Sequence, residues 1–331
     1  MAEKIRVIQY GVGTIGLEIS RLILEKDSLQ LVGVIDIDPV KVGKDIGELL
    51  GIKPVGVKVS DSPKKVFSQT KADVVIHSTI SSLKKAQSQI LEAISAGFDV
   101  VSTTEELSFP IGENKKVAEE IDAAALKNKV AVVGVGVNPG FVMDTLPILM
   151  TAVSQKIEKI EVYRQINASM RRIPFQKKIG STLTVGEFNA KVKEGVIRHV
   201  GLPESLSMIA HALGWKLDGM SQTIEPIVSD HEIKLEWGVV KKGNVRGVRQ
   251  TAVGVVCGKE RIVLNFMAAV GEKESFDAVK IRGVPPIDLK IEGGVHGDRA
   301  TSAIAVNMTR TILGQEPGLK TMSDLVPKAL L

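Results

Sequence analysis

A chain of 331 residues, 44% hydrophobic and 24% charged, is too long for one ordinary core and calls for two domains of similar size, with no stretch that reads as disordered. The net charge of +5 is spread among interspersed acids, as in IEKIEVY and KVKEGVIRH, and aromatic residues make up only 4%, which argues against a basic stacking surface for nucleic acid. No apolar run is long enough to span a bilayer, and the single cysteine, Cys257, excludes an internal disulfide.

The opening MAEKIRVIQYG holds an acidic Glu3 and a short apolar run, unlike an export signal, so a cytoplasmic protein is expected. From residue 4 to about 135, short β-branched runs alternate with helical stretches. Strands are predicted at Arg6–Tyr10, Leu31–Ile35, Asp73–His77, Asp99–Thr103 and Val130–Gly134, and helices at Ile15–Lys26, Ser82–Ala96 and Lys115–Lys127. That alternation is the pattern of a doubly wound parallel sheet. The turn Asn138-Pro139-Gly140 then marks a junction.

The second half reads as α+β. A strand is predicted at Lys159–Ile166, helices at Val185–Lys193 and Glu204–Ala212, and consecutive strands from about Glu225 to Asp288. TAVGVVCGKERIVLNFMAAV reads as a hairpin bending at Gly258-Lys259, so a largely antiparallel sheet is expected. Within it Cys257 is expected to be buried filler and His231-Glu232 to lie in a strand. After Gly293-Gly294, the helix Ala300–Leu313 is expected to return to the first domain. The domains are therefore 1–140 plus about 295–331, and 141–294 for substrate binding and dimerisation.

Gly11-Val12-Gly13-Thr14-Ile15-Gly16 follows the first strand and opens a helix, and Asp36 ends the next strand 20 residues beyond Gly16. In that context GxGxxG is a Rossmann dinucleotide fingerprint. Gly11 permits the tight turn, Gly13 the approach of a pyrophosphate and Gly16 close helix packing, with phosphate at the helix N-terminus beside Thr14 and Ile15. Asp36 should bind the adenosine ribose and favour NAD; Lys41 and Lys44 lie near enough in sequence to leave NADP open. The excess of positive charge suits an anionic cofactor. Loops after the other strands should line the same crevice, and Ser78, Thr79, Thr103 and Asn138 are the cofactor-side candidates there.

Glu105 and Glu106 follow the strand expected beneath the nicotinamide. A carboxylate there can hold an ammonium or iminium cation and relay its proton while hydride moves to carbon. Adjacent side chains point opposite ways, so one of the two should face the substrate; which one stays open. The five histidines have no metal-ligand spacing and no metal is expected. His77 should pack at a strand end and His211 lie on a helix; His199, ahead of a helix, is open to two readings, a substrate contact or a structural role, and His296 is ambiguous in the same way.

Several of these stretches belong together: GVGTIG with VIDIDPVKVGKDIGE, STTEELSFP, GVGVNPGFVMDTLP, ASMRRIPFQKKIG, RHVGLPES and GGVHGDRATS. Over most of its length the chain resembles the 2,4-diaminopentanoate dehydrogenase family, which includes native amine dehydrogenases and has an N-terminal domain similar to dihydrodipicolinate reductase. The resemblance implies a homodimer that interconverts an amine and a ketone or aldehyde plus ammonia with NAD(P). It implies a glutamate after the fifth strand, falling on Glu105 or Glu106, and an apolar pocket with Phe141 and Met143. Three rival readings are an imine reductase like dihydrodipicolinate reductase, an alcohol dehydrogenase like homoserine dehydrogenase, and a cofactor-binding redox sensor. The first lacks its His-His-x-x-Lys run here, and the second its lysine, replaced by Glu105.

Overall fold

The computed structural model describes residues 4–325 and 327–330. The chain divides into two compact units: one takes it up to Phe141 and again from His296 onward, the other is Val142–Val295.

The first unit runs β1 (Ile5–Tyr10), α1 (Thr14–Glu25), β2 (Leu29–Ile35), α2 (Ile46–Leu49), β3 (Val59–Ser60), α3 (Pro63–Gln69), β4 (Val74–His77), α4 (Leu83–Ser95), β5 (Asp99–Ser102), α5 (Asn114–Asn128) and β6 (Ala131–Gly134). These strands are apolar almost throughout and lie buried on both faces, the condition for a parallel sheet. Helix α4 buries Leu83, Ala86, Ile90, Ala93 and Ile94, a spacing of three and four that puts one apolar stripe on the sheet.

The second unit holds α6 (Thr145–Met150), β7 (Lys156–Asn167), α7 (Ile173–Lys178), α8 (Val185–Lys193), α9 (Leu202–Ala212), β8 (Gly219–Val228), β9 (Ile233–Leu235), β10 (Gly238–Val240), β11 (Val245–Val256), β12 (Lys259–Ala269), β13 (Phe276–Val284) and β14 (Ile287–Glu292). The chain then re-enters the first unit as α10 (Gly297–Ile312), which packs on α1, and β15 (Gly318–Lys320).

In the first unit the sheet order is β15-β6-β5-β4-β1-β2-β3, and every pairing is parallel. The winding reverses between β1 and β4, and a crevice opens at such a switch point beyond the carboxyl ends of the strands. The second unit carries a six-stranded sheet, β14-β13-β7-β12-β11-β8, with α9 packed on β11 and β12. It is antiparallel except for the central β7–β12 pair, which is parallel.

Three local readings are corrected. The β11–β12 hairpin bends at Cys257-Gly258, one residue earlier than expected, with both residues in the left-handed region at φ 51° and 69°. Cys257 is therefore exposed rather than buried: alternation puts Ala252, Gly254 and Val256 inward, and Cys257 lies beyond the last strand residue. His231-Glu232 lies in the turn between β8 and β9, outside any strand. Strand β15, three residues long, is too short to leave a period in the sequence.

Candidate active site

At the carboxyl edge of the parallel sheet, Gly11 turns the chain at φ 91°, where a Cβ would come within 2.6 Å of the Ser78 carbonyl oxygen. A Cβ on Gly16 would fall 1.9 Å from the Gly11 carbonyl oxygen, so the first turn of α1 packs directly on the loop. Gly13 differs: a Cβ there would meet nothing within 4 Å, and as the N-cap of α1 it brings no side chain to the first turn. Gly13 and Thr14 are exposed and Ile15 half-buried, leaving an open, electropositive helix end that suits a pyrophosphate.

Beside this loop, Asp36 Oδ2 accepts the Val12 N–H at 2.7 Å and Oδ1 accepts the Asp38 N–H at 2.9 Å. The carboxylate is thus fixed at the end of β2 with acceptor capacity to spare, as ribose hydroxyls require. From below, the buried Gln9 donates through Nε2 to the Gly11 carbonyl oxygen at 2.8 Å and to Ser78 Oγ at 2.7 Å, while Ser78 Oγ donates to Gly11 O at 3.0 Å. Ser78 therefore props the glycine loop.

His77, fully buried at the end of β4, is the centre of a second polar network. Its Nδ1 lies 2.9 Å from Ser102 Oγ, and its Nε2 lies 2.8 Å from Gln89 Oε1 and 2.9 Å from Thr79 Oγ1. Burial drives the imidazole pKa down to about 4, so the ring is neutral. Gln89 Oε1 can only accept, which puts the proton on Nε2 and makes Nδ1 the acceptor for the Ser102 hydroxyl. Ser102 Oγ in turn accepts the Thr104 N–H at 3.2 Å, and the Thr103 N–H donates to the His77 carbonyl oxygen at 2.9 Å. The turn that carries the two glutamates is held through this chain of bonds.

That turn separates the glutamates. Both are half-buried in one 3₁₀ turn, Glu105–Leu107. Glu106 Oε2 accepts the Leu83 N–H, in the first turn of α4, at 2.9 Å and Asn114 Nδ2 at 3.2 Å. Among the described residues, the Glu105 carboxylate makes no hydrogen bond or ion pair. One strand further along the sheet edge, after β6, Asn138 is 9% exposed, and among the described residues neither its Nδ2 nor its Oδ1 has a partner. A buried carboxamide left unmade is costly. Together with the bare cradle at Gly13, it fits a dinucleotide lying along this edge. Phe141, just beyond, is half-buried.

In the second unit Met143 is fully buried. The His199 ring stacks on Phe266 with centroids 4.3 Å apart and planes 8° from parallel. Gln250 clamps its backbone, accepting the His199 N–H at 2.8 Å and donating to its carbonyl oxygen at 2.9 Å. Burial, aided by the positive charges of Lys178 and Arg164, takes the imidazole pKa down to about 3, and its buried Nε2 is unpartnered. His199 is therefore a neutral hydrogen-bonding group and no proton carrier near pH 7. His211 lies on α9, and His296 caps α10, its Nδ1 accepting the Arg299 N–H at 3.4 Å. Among the described residues, no three His, Cys, Asp or Glu side chains group as metal ligands, and no helix is long and apolar enough to cross a membrane.

Residues 141–331 match the 2,4-diaminopentanoate dehydrogenase C-terminal domain, and residues 5–134 the N-terminus of dihydrodipicolinate reductase. A 2,4-diaminopentanoate dehydrogenase of Acetoanaerobium sticklandii is 35% identical, over 99% of this chain and 96% of its own. The chain belongs to the 2,4-diaminopentanoate dehydrogenase family. It is accordingly an oxidoreductase. An amine dehydrogenase of Streptomyces virginiae is 24% identical over 97% of this chain and 96% of its own. The structure of an amine dehydrogenase from Mycobacterium smegmatis superposes with a TM-score of 0.85, covering 98% of this chain and 96% of that one at 22% identity, a likeness of fold.

For this member of the 2,4-diaminopentanoate dehydrogenase family, sequence reasoning passed over Gln9 and Gln89, which brace the nucleotide cradle and the glutamate turn. Gln9 had a signal, a lone amide in the apolar strand IRVIQY. Gln89 had none, since one polar residue on an amphipathic helix looks like any other.

Proposed function

We propose that the protein is an NAD(P)-dependent amine dehydrogenase that interconverts an amine and the corresponding ketone or aldehyde plus ammonia. The observation that carries this reading is the Glu105 carboxylate at the carboxyl end of β5, without a partner among the described residues, beside a neighbour already engaged with Leu83. When bound, the nicotinamide supplies or removes the hydride.

The chain's own residues do the rest. Gly11, Gly13, Thr14, Ile15 and Gly16 cradle the pyrophosphate, and Asp36 takes the adenosine ribose hydroxyls. Ser78, Thr79, Thr103 and Asn138 line the crevice toward the nicotinamide, with the unpaired Asn138 amide the strongest polar contact. Glu105 holds the ammonium or iminium cation and accepts or returns its proton as the carbon changes oxidation state. The unit Val142–Val295 recognises substrate, with His199 a neutral hydrogen-bonding group and the fully buried Met143 in its apolar interior; Phe141, in the other unit, is half-buried. The relatives named for an amine and for 2,4-diaminopentanoate support an amine as the donor.

We further infer a homodimer formed through the face of the six-stranded sheet opposite α9. Tyr163, Val253, Val263 and Met267 share that face and remain half-buried. A single exposed cysteine is in keeping with a reducing cytoplasm.

The test is NADH consumption with a panel of ketones and aldehydes, with and without ammonium. Consumption that requires ammonium is expected. Carbonyl reduction that ignores ammonium would make the protein an alcohol dehydrogenase, and cofactor binding with no turnover on amines, carbonyls or imines would make it a sensor.

A further inference from the structure

The residue after β2 is an aspartate, and in a Rossmann site that choice normally rejects a 2′-phosphate, because the phosphate would meet a fixed negative charge. In this chain the aspartate is not alone. Lys41 Nζ lies 3.4 Å from Asp36 Oδ2 and 3.2 Å from Asp38 Oδ2, a single ammonium bridging both carboxylates at the ribose end of the cradle.

The loop holds that lysine in place. The N–H groups of Lys41 and Val42 both donate to the Asp38 carbonyl oxygen, at 2.9 and 3.1 Å, and the Gly43 N–H ties the loop to β3 through Val59 O at 2.9 Å. Asp38 Oδ1 also accepts the Val40 N–H at 3.0 Å, and that bond, followed by the one from Lys41, holds Asp38 below the ordinary carboxylate range. The turn thus presents two carboxylates and one ammonium as a unit. Lys44 makes no ion pair among the described residues.

We propose that Lys41 is the residue that lets this site accept a 2′-phosphorylated dinucleotide as well as the unphosphorylated one. The inference rests on the dinucleotide reading of the cradle given above. With a free 2′-hydroxyl, Asp36 accepts from the ribose and Lys41 stays on the carboxylates. With a 2′-phosphate, Lys41 turns its ammonium from the carboxylates to the phosphate oxygens.

Two features make that turn cheap. The bridge is a loose one: at 3.4 and 3.2 Å both contacts are longer than a charge-assisted hydrogen bond, and Asp38 is 40% exposed. Asp36 also keeps the N–H groups of Val12 and Asp38 after Lys41 leaves, so no carboxylate is stranded. An ammonium on a flexible four-carbon stem, with three rotatable donors, suits a group that must serve two anions in turn.

The experiment is direct titration of the full chain with NADH and with NADPH, followed by nicotinamide fluorescence, for wild type, Lys41→Met, Lys41→Arg and Lys44→Met. Wild type should bind both. Lys41→Met should raise the Kd for NADPH on the order of tenfold or more, the loss of one charge-assisted contact to phosphate, and leave that for NADH within about threefold. Lys41→Arg should retain NADPH binding, and Lys44→Met should leave the ratio of the two constants where it was.

Raising salt should weaken NADPH binding more in wild type than in Lys41→Met. An unchanged ratio in Lys41→Met, or a wild type that binds NADH and excludes NADPH, overturns the assignment and leaves the dinucleotide site standing. A wild type that binds neither overturns both.

Discussion

The Leu83 N–H, in the first turn of α4, donates to Glu106 Oε2 at 2.9 Å across 23 residues of sequence. That bond engages one of two adjacent carboxylates in holding a helix end, while the other, Glu105, has no hydrogen bond or ion pair among the described residues and is the proposed catalytic group. Glu105→Gln should therefore cut amine turnover by about 10²–10⁴-fold, the usual contribution of an acid–base group, with NADH affinity close to wild type. Glu106→Gln should keep most of its turnover and lose about 0.5–2 kcal/mol of stability, as a helix cap does. Steady-state kinetics and urea unfolding of both variants separate the roles, and the reverse pattern would transfer catalysis to Glu106.

Asp36 pins Val12 in the glycine loop, and in the proposed site the same carboxylate takes the ribose hydroxyls. Asp36→Ala should weaken NADH binding and narrow the gap between NADH and NADPH, since ribose bonds and a repelling charge leave together. Calorimetric titration with each cofactor measures this, and unchanged affinities for both would remove Asp36 from the site.

Stability should depend on acid through two desolvated imidazoles, that of the buried His77 and that of the half-buried His199, whose Nε2 is out of reach of solvent. The folded pKa values of His77 and His199 lie down at about 4 and about 3, whereas an unfolded chain titrates histidine near 6.5. Between these limits the unfolded state binds more protons, so stability is fully present above about pH 6.5 and falls as pH drops toward 4. Each ring contributes a slope approaching about 1.4 kcal/mol per pH unit within the window. Urea unfolding at pH 7, 5.5 and 4.5 gives that slope. His77→Gln should flatten it, and an unaltered slope would show that His77 is not a buried neutral ring.

Arg164 and Asp277, both 3% exposed, meet at 2.8 Å, and between them they bind both backbone groups of Val295. Arg164→Met leaves a buried carboxylate without its charge partner and should cost about 3–5 kcal/mol. Adding Asp277→Leu should recover much of that, because a buried pair removed whole costs far less than one that is broken. Unfolding midpoints of the single and double variants decide it.

The sequence by itself determined the alternating first half, the strand-rich second half, their longer strands and helices, and the GxGxxG turn with Asp36 after the next strand, but not the short β3 and β15 or the parallel β7–β12 pair. What it determined is written in local signals: periods of two and 3.6, and a motif whose residues act within one turn of each other. Its reach ended where a residue's state depends on a distant partner. Glu105 and Glu106 are chemically identical neighbours, and only the fold brings Leu83 to one of them. Nothing in RHVGLPES foretells that Phe266 stacks on the His199 ring, that Gln250 clamps its backbone, or that the ring is neutral. Cys257 looked apolar in its run and is exposed because the hairpin turns on it. Burial and hydrogen bonding are properties of pairs far apart in the chain, so tertiary structure alone decided them.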